Sequence, residues 1–340
     1  MPDNPKKYLL RVLAAAIVLS VLFQCGYAVC QLLGICRSGH HDYAFTGSFY
    51  NPGPLACYIA VGFPLAVRML QRDNKFQKLA GAGMVLLCAI LVPATMSRTA
   101  IMACCIGELV AIDDRLKAAL TRKSVRKLLW LILIVVSVGA VCYMAKKDSA
   151  DGRMLMWKVA AQAAMEATAG GVGWENVAGA YGEAQERYFA SGRGSEQEIL
   201  VADAPQYVFN EYLQVAIAYG PVAAIVLIAA LAGGIVTALR NRAYSFAGSA
   251  AAVAVVMFAS YPLQFPLFAV TIAMILAGAW LSSSSRAAGW GATAVIAGMT
   301  ALFLTHSDRP DVEGGFALGR SLHQMRQYHS QPLALTSASV

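Results

Sequence analysis

Residues 207–239, YVFNEYLQVAIAYGPVAAIVLIAALAGGIVTAL, contain a single charged residue, Glu211. A transmembrane helix needs about 20 mainly apolar residues, so this run is long enough to cross a bilayer and to begin outside it. Backbone groups in lipid must satisfy one another, which makes the run a helix. Further apolar runs occur at 8–33, 54–69, 79–96, 99–112, 128–144, 246–261, 266–282 and 287–305. The fourth is short and carries Glu108. The fold class is therefore all-α: a polytopic integral membrane protein of about nine transmembrane helices. Composition agrees, with 58% hydrophobic and only 14% charged residues, against roughly 25% charged in a soluble domain. The first run is too long for a removable signal peptide.

One polar stretch, 145–206, interrupts the apolar series. It passes through the glycine-rich GGVGWENVAGAYG of 170–182 and ends in ADAPQ just before the quoted run. Residues 153–168 read as a helix, because Met154, Trp157, Ala161 and Met165 recur at three- and four-residue spacing. Such a helix suits a membrane surface with Trp157 at the interface. The glycines then break it, and 192–197 reads as a flexible tip. The expected organisation is a membrane domain, 1–305, that includes the 145–206 loop, and a polar tail, 306–340.

The formal charge of +8 does not point to nucleic acid. With the N-terminus inside, sixteen Lys and Arg residues fall in the inner loops, from Lys6, Lys7 and Arg11 through Arg68, Arg72 and the 115–127 loop to Arg240, Arg242 and Arg286. Eleven fall outside, six of them in the long polar stretch, which counts little in the positive-inside rule. The excess is orientation, and no basic, aromatic-interleaved soluble patch accompanies it. On this topology 145–206 and the C-terminus lie outside. The eight cysteines show no CxxC or Cys/His ligand spacing and read as packing residues. No Walker-type motif is present.

Several residues carry two readings. Arg98, in TMSRTAI, is either a snorkelling interfacial arginine or an anion clamp whose guanidinium fork fits phosphate. Arg153, at the start of RMLMWKVA, is either a solvated surface charge or a second phosphate contact, with Lys158 one turn further along. Asn210 and Glu211 suit helix N-capping, with Glu211 at the positive end of the dipole. Asp203 suits a turn before Pro205. Either carboxylate could equally serve as a general base. Glu108 is an intramembrane acid and a functional candidate on that ground.

Four stretches in order, GSFYNPGPLACYIAVGFPLAV (47–67), MSRTAIMACCIGELV (96–110), GRMLMWKVAAQAAMEATAGGVGWENVAGAYG (152–182) and FNEYLQVAIAYG (209–220), resemble the O-antigen ligase superfamily. That superfamily includes lipopolysaccharide O-antigen ligases, O-antigen polymerases and protein O-oligosaccharyltransferases. The resemblance implies a GT-C-like membrane glycosyltransferase in a bacterial inner membrane, with its N-terminus cytoplasmic and its C-terminus periplasmic. It implies a glycan donor on undecaprenyl diphosphate and a lipid, glycan or protein acceptor hydroxyl. No metal and no other cofactor is implied. The family's diphosphate-binding arginines match Arg98 and Arg153, with Lys158 as a third cation. Asn51, Asn210 and Tyr212 are expected to line the substrate pocket. The family usually has a histidine immediately before the asparagine of its HN…YLQ…G motif, and here that position is Phe209. The base is therefore assigned by position to Asp203, with Glu211 second. The rival class is a transporter or flippase of lipid-linked sugars, for which inverted repeats and broken helices would be the sign. Neither is evident in the sequence.

Overall fold

The computed structural model describes residues 5–112, 147–203 and 205–304, and every regular element among them is helical. The expected span at 128–144, the 113–127 loop and the 306–340 tail lie outside the described residues. In chain order the helices are α1 (Pro5–Leu32), α2 (Pro52–Leu70), α3 (Lys75–Ala94), α4 (Arg98–Ala111), α5 (Lys147–Glu166), α6 (Val177–Ala190), α7 (Glu196–Val201), α8 (Glu211–Tyr219), α9 (Pro221–Arg240), α10 (Tyr244–Ala259), α11 (Pro266–Leu281) and α12 (Arg286–Leu304). The chain divides into two compact units. One comprises residues 1–143 and 228–303, the other 144–227 and 304–340.

In the first unit α1, α2 and α3 are long and apolar enough to cross a membrane, as is α9, which runs into it; α10 and α11 are shorter apolar helices. Their starts are set by local chemistry. Asn74 caps α3 by accepting from the N–H groups of Phe76 and Gln77, and α2 opens with Pro52 at a position where no N–H is needed. Helices approach closely where side chains are small. A Cβ on Gly248 would lie 2.4 Å from the Gly107 carbonyl oxygen, so α4 and α10 meet backbone to backbone. Trp280 of α11 occupies a slot beside Gly233 and donates to the Ala230 carbonyl at 3.1 Å. Buried Tyr58 shares hydrogen bonds with Ser20 (2.7 Å) and Thr271 (2.9 Å), which ties α2 to α1 and α11. Polar residues within α1 organise the loop before α2. Gln31 Oε1 accepts from the N–H groups of Thr46 and Gly47, both at 2.9 Å, and Gln24 Oε1 accepts from Ser48 N–H at 3.1 Å.

The second unit is held differently. Helix α5 starts at Lys147, earlier than periodicity suggests, and buries Leu155, Val159, Ala160 and Ala163. The expected apolar stripe is not that face, since Met154 and Met165 are 63% and 80% exposed. Residues 192–197 are not simply a tip. Ser195 and Glu198 form a reciprocal capping box that starts α7.

The apolar run at 207–239 is likewise not one helix. Gly220, at φ +87, breaks it into α8 and α9. The loop after α5 docks on the broken end, where Val172 N–H donates to the Ile217 carbonyl (3.0 Å) and Gly173 N–H to the Ala218 carbonyl (2.9 Å). Carbonyls left over at a helix C-terminus are thereby satisfied. The approach requires glycine on both sides. A Cβ on Gly171 would lie 2.2 Å from the Ala218 oxygen, and one on Gly220 would lie 2.0 Å from the Ala169 oxygen. The glycine-rich segment is a helix-end clasp.

Candidate functional site

Three of the four stretches that carry the resemblance begin a helix in the same way. Tyr50, Met96 and Phe209 have φ of +56°, +51° and +50°, unusual for residues with side chains. Each immediately precedes an extended N-cap, namely Asn51, Ser97 and Asn210. The left-handed residue turns the chain sharply, and the cap side chain then accepts from the first helical N–H groups. Strain of this kind collects at functional sites. No sequence signal marks it, because none of the three is glycine or asparagine.

The sequence-derived residues sit at these starts. Asn51 accepts from Gly53 N–H at 2.8 Å and caps α2. Arg98 is the first residue of α4, half-buried, after the Ser97 cap. Thr99 beside it donates to the Ala259 carbonyl at the far end of α10 (3.3 Å). Asn210 accepts from the N–H groups of Tyr212 and Leu213, both at 3.1 Å, so its role is the cap that the sequence suggests.

The start of α8 is the most elaborated of the three. Buried Gln214 reaches back and accepts from Val208 N–H at 3.3 Å. Trp157 of α5 donates to the Phe209 carbonyl at 3.3 Å. Trp157 is thus half-buried with its indole N–H directed into the second unit. The Arg153 guanidinium lies over the Phe209 ring, 5.1 Å from its centroid, within cation–π range. A guanidinium held over an aromatic face keeps its charge, and its planar fork is of the kind that suits anions. Glu211, in the first turn of α8, is 1% exposed. Its carboxylate lies where the positive helix end favours charge. The residue at the family's histidine position therefore acts through its ring on Arg153 and through its carbonyl on Trp157.

Lys158 and Asp203 are placed elsewhere. Lys158 Nζ pairs with Glu198 Oε1 at 3.0 Å and donates to Tyr188 Oη at 2.5 Å, and it also sits over the Tyr188 ring. These bonds, Tyr188 first and then Glu198, raise its pKa. Partial burial raises the Glu198 pKa, but the Ser195 N–H, Lys158 and Tyr188 outweigh it and hold the carboxyl at about 2. Lys158 thus fastens α5 to α7. Asp203 is exposed on the turn after α7. Its charge, after burial, raises the pKa of Tyr181 on α6. That turn follows directly on Val201, whose carbonyl approaches α5 at Gly152, one residue before Arg153. Arg153, Trp157, Phe209 and Asn210 are thus brought together, with Glu211 next in chain.

Among the described residues, His40, His41 and Asp42 could hold a metal ion, their ligand atoms lying within 4.8 Å of one another. The three are consecutive on the loop before α2, and Asp42 N–H already donates to His40 Nδ1 at 3.2 Å. The described cysteines are free thiols.

Comparison with known proteins bears on the same segments. No curated protein and no solved structure matches the chain. The family model described as O-antigen ligase matches residues 83–228, a stretch that contains Arg98, Arg153, the glycine clasp and the start of α8. Over residues 83–228 the chain is thus similar to the O-antigen ligase family, which implies glycosyl transfer in general.

Proposed function

We propose that the chain transfers a glycan from an undecaprenyl-diphosphate carrier to an acceptor hydroxyl on the periplasmic face of a bacterial inner membrane, without metal. The observation that carries this reading is the seat of Arg153, whose guanidinium lies over the Phe209 ring at the head of α8. A permanently charged, planar donor held there is suited to the diphosphate leaving group. Its charge grows as the glycosidic C–O bond breaks, and a fixed cation stabilises that development. Arg98 is proposed as the second arginine, at the head of α4. Lys158 is proposed as a buttress for α5, because its charge is already engaged by Glu198.

The acceptor hydroxyl must lose its proton as it attacks the anomeric carbon. Asp203 is proposed as the base: it is exposed and so can return the proton to water. Glu211 is the alternative, buried beside the Asn210 cap. Asn51, at the start of α2, and Asn210 and Tyr212, at the start of α8, are proposed as substrate contacts. An O-antigen polymerase or a protein-glycosylating enzyme would use the same donor chemistry and differ in acceptor. A flippase reading would use the α8–α9 break, but the clasp of Val172 and Gly173 closes its end.

The test is glycan transfer from a lipid-diphosphate donor by the purified protein, without ATP and with chelator present. Product is expected, and donor movement across a bilayer without product would favour the flippase. Asp203→Asn is expected to lower turnover at least tenfold with donor binding retained, since a base acts on the acceptor. If Glu211→Gln alone has that effect, the base is Glu211. Unchanged turnover in both removes the carboxylates from the mechanism.

A further inference from the structure

In the first unit, where α1 begins and α2 and α4 finish, a cavity of about 430 Å3 is lined by Lys7, Arg11, Arg68, Arg72, Arg242 and Glu108. That is a formal surplus of four positive charges around one hollow. The positive-inside rule explains why loops on one side of a membrane are basic. It requires only charges in each loop, and does not require cations from three separate segments to face a common space.

Convergence has a visible cost. The pKa of Arg72 is lowered, by partial desolvation first and then by the charges of Arg68 and Arg11. Arg242, at φ +58°, is the left-handed residue of the cap that ends α9, where Ala243 N–H donates to the Ala238 carbonyl and Arg242 N–H to the Leu239 carbonyl. An anion in the cavity would relieve the repulsion.

The lining also says what kind of anion. Leu10, Ala14 and Leu65 give the hollow an apolar side, and it opens at the ends of helices long and apolar enough to cross a membrane. A soluble phosphate has no use for such a wall, whereas a lipid has. Glu108 contributes an oxygen, Oε2, that is buried and has no hydrogen-bond partner among the described residues. A headgroup hydroxyl would supply the missing donor. We propose that this cavity seats the headgroup of an anionic membrane phospholipid of the phosphatidylglycerol type, its phosphate facing the arginines, its glycerol hydroxyl facing Glu108 and its acyl chains leaving along the apolar side. Basic pockets between membrane helices bind such headgroups by the same electrostatics. The site is at the opposite end of the unit from Arg98, so it is separate from the proposed donor contact.

The experiment titrates the purified full-length protein in detergent with phosphatidylglycerol, phosphatidylcholine or inorganic phosphate and follows adducts by native mass spectrometry. Phosphatidylglycerol is expected to bind at least tenfold more tightly than phosphatidylcholine. The double variant Arg72→Gln/Arg242→Gln is expected to lose roughly fivefold for each cation removed. Glu108→Gln keeps an acceptor and removes the one negative charge, so it is expected to bind severalfold more tightly, a gain that misfolding cannot produce. Equal binding of the two lipids overturns the proposal, as does unchanged phosphatidylglycerol binding in the arginine variant. A loss there without the gain in Glu108→Gln overturns the assignment to this cavity. Inorganic phosphate that binds as tightly as phosphatidylglycerol and displaces it makes the cavity a soluble-anion site and overturns the lipid assignment.

Discussion

The two units of this protein solve the same problem, packing helices, with different chemistry. In the first, helices meet through small residues and aromatic edges: Gly107 on Gly248, Gly233 under Trp280, and Phe49 against Tyr58 and Phe268. Lipid gives no hydrophobic drive between helices, so close van der Waals approach and a few shared hydroxyl bonds must hold them. In the second, the elements are held by caps, turns and charges: the Ser195–Glu198 box, the Lys158–Glu198 pair and the glycine clasp on α8. Packing by small residues tolerates modest change spread over many contacts. Packing by caps concentrates dependence on single positions, and the side chains at the head of α8 are placed by it.

The strongest way to break that contrast is at the glycines. In Gly220→Ala the new Cβ meets the Ala169 oxygen at 2.0 Å with φ at +87°. With ψ at 164°, this conformation is essentially confined to glycine and costs about 1–3 kcal/mol, and overpacking costs about 1–3 kcal/mol more. The clasp is expected to open, seen as rapid proteolysis within 145–206 and loss of transfer. Gly107→Ala adds only the overpacking cost, and it should lower the melting temperature while 145–206 stays protected. Gly83→Ala has nothing within 4 Å and is expected to leave melting unchanged or raise it by up to about 1 kcal/mol of stability. Equal damage from all three would erase the distinction between the units.

The same contrast explains what was legible in the sequence. Hydropathy located α1, α2, α3 and α9, because period and length suffice for apolar spans. It ran through Gly220–Pro221, a dipeptide that marks a break, because both flanks are apolar. The buried face of α5 was missed because Met154 and Met165 match the helical period as well as Leu155 and Val159 do; which face is buried depends on α6 and α8. The Ser195–Glu198 box was readable as a local motif. Its partner Lys158 was not, being distant in the chain. The motifs name Arg98, Arg153, Asn51 and Asn210 as candidates, and the structure puts Arg98, Asn51 and Asn210 at helix starts and Arg153 over Phe209. The left-handed turns at Tyr50, Met96 and Phe209 were not legible, since nothing in those residue types announces them.

A second test compares one arginine from each unit. Arg153→Lys keeps the charge but loses the planar guanidinium and its fork. Transfer is expected to fall at least tenfold, with normal protein levels in the membrane. Phe209→Leu removes the ring while leaving the arginine, and a fewfold loss is expected, in line with about 0.5–1 kcal/mol for an exposed cation–π contact. Arg98→Lys is expected to lose activity like Arg153→Lys if both grip diphosphate. Full activity in Arg98→Lys would make it a snorkelling side chain and leave the second unit with the proposed phosphate contact.

The smallest expected effect is acid sensitivity confined to the second unit. Glu198 has its pKa held at about 2 by the Ser195 N–H, Lys158 and Tyr188, against about 4.3 in an unfolded chain. A depressed carboxyl contributes stability that is fully present above the unfolded value and is lost as pH falls through the folded one. The window therefore runs from about pH 4.5 down to about pH 2. Lys158 is 56% exposed and Glu198 22%, so solvent screening limits the pair to about 1 kcal/mol or less. The measurement is the rate of proteolysis within 145–206 at pH 6 and pH 3, using an acid-tolerant protease. Wild type is expected to become more susceptible at the lower pH by more than Glu198→Gln does. The variant should already be loosened at pH 6, because Gln cannot be ionised and the pair with Lys158 is gone. Equal pH responses in the two proteins would mean that α7 is held by the Ser195 cap and its packing, with the ion pair contributing nothing.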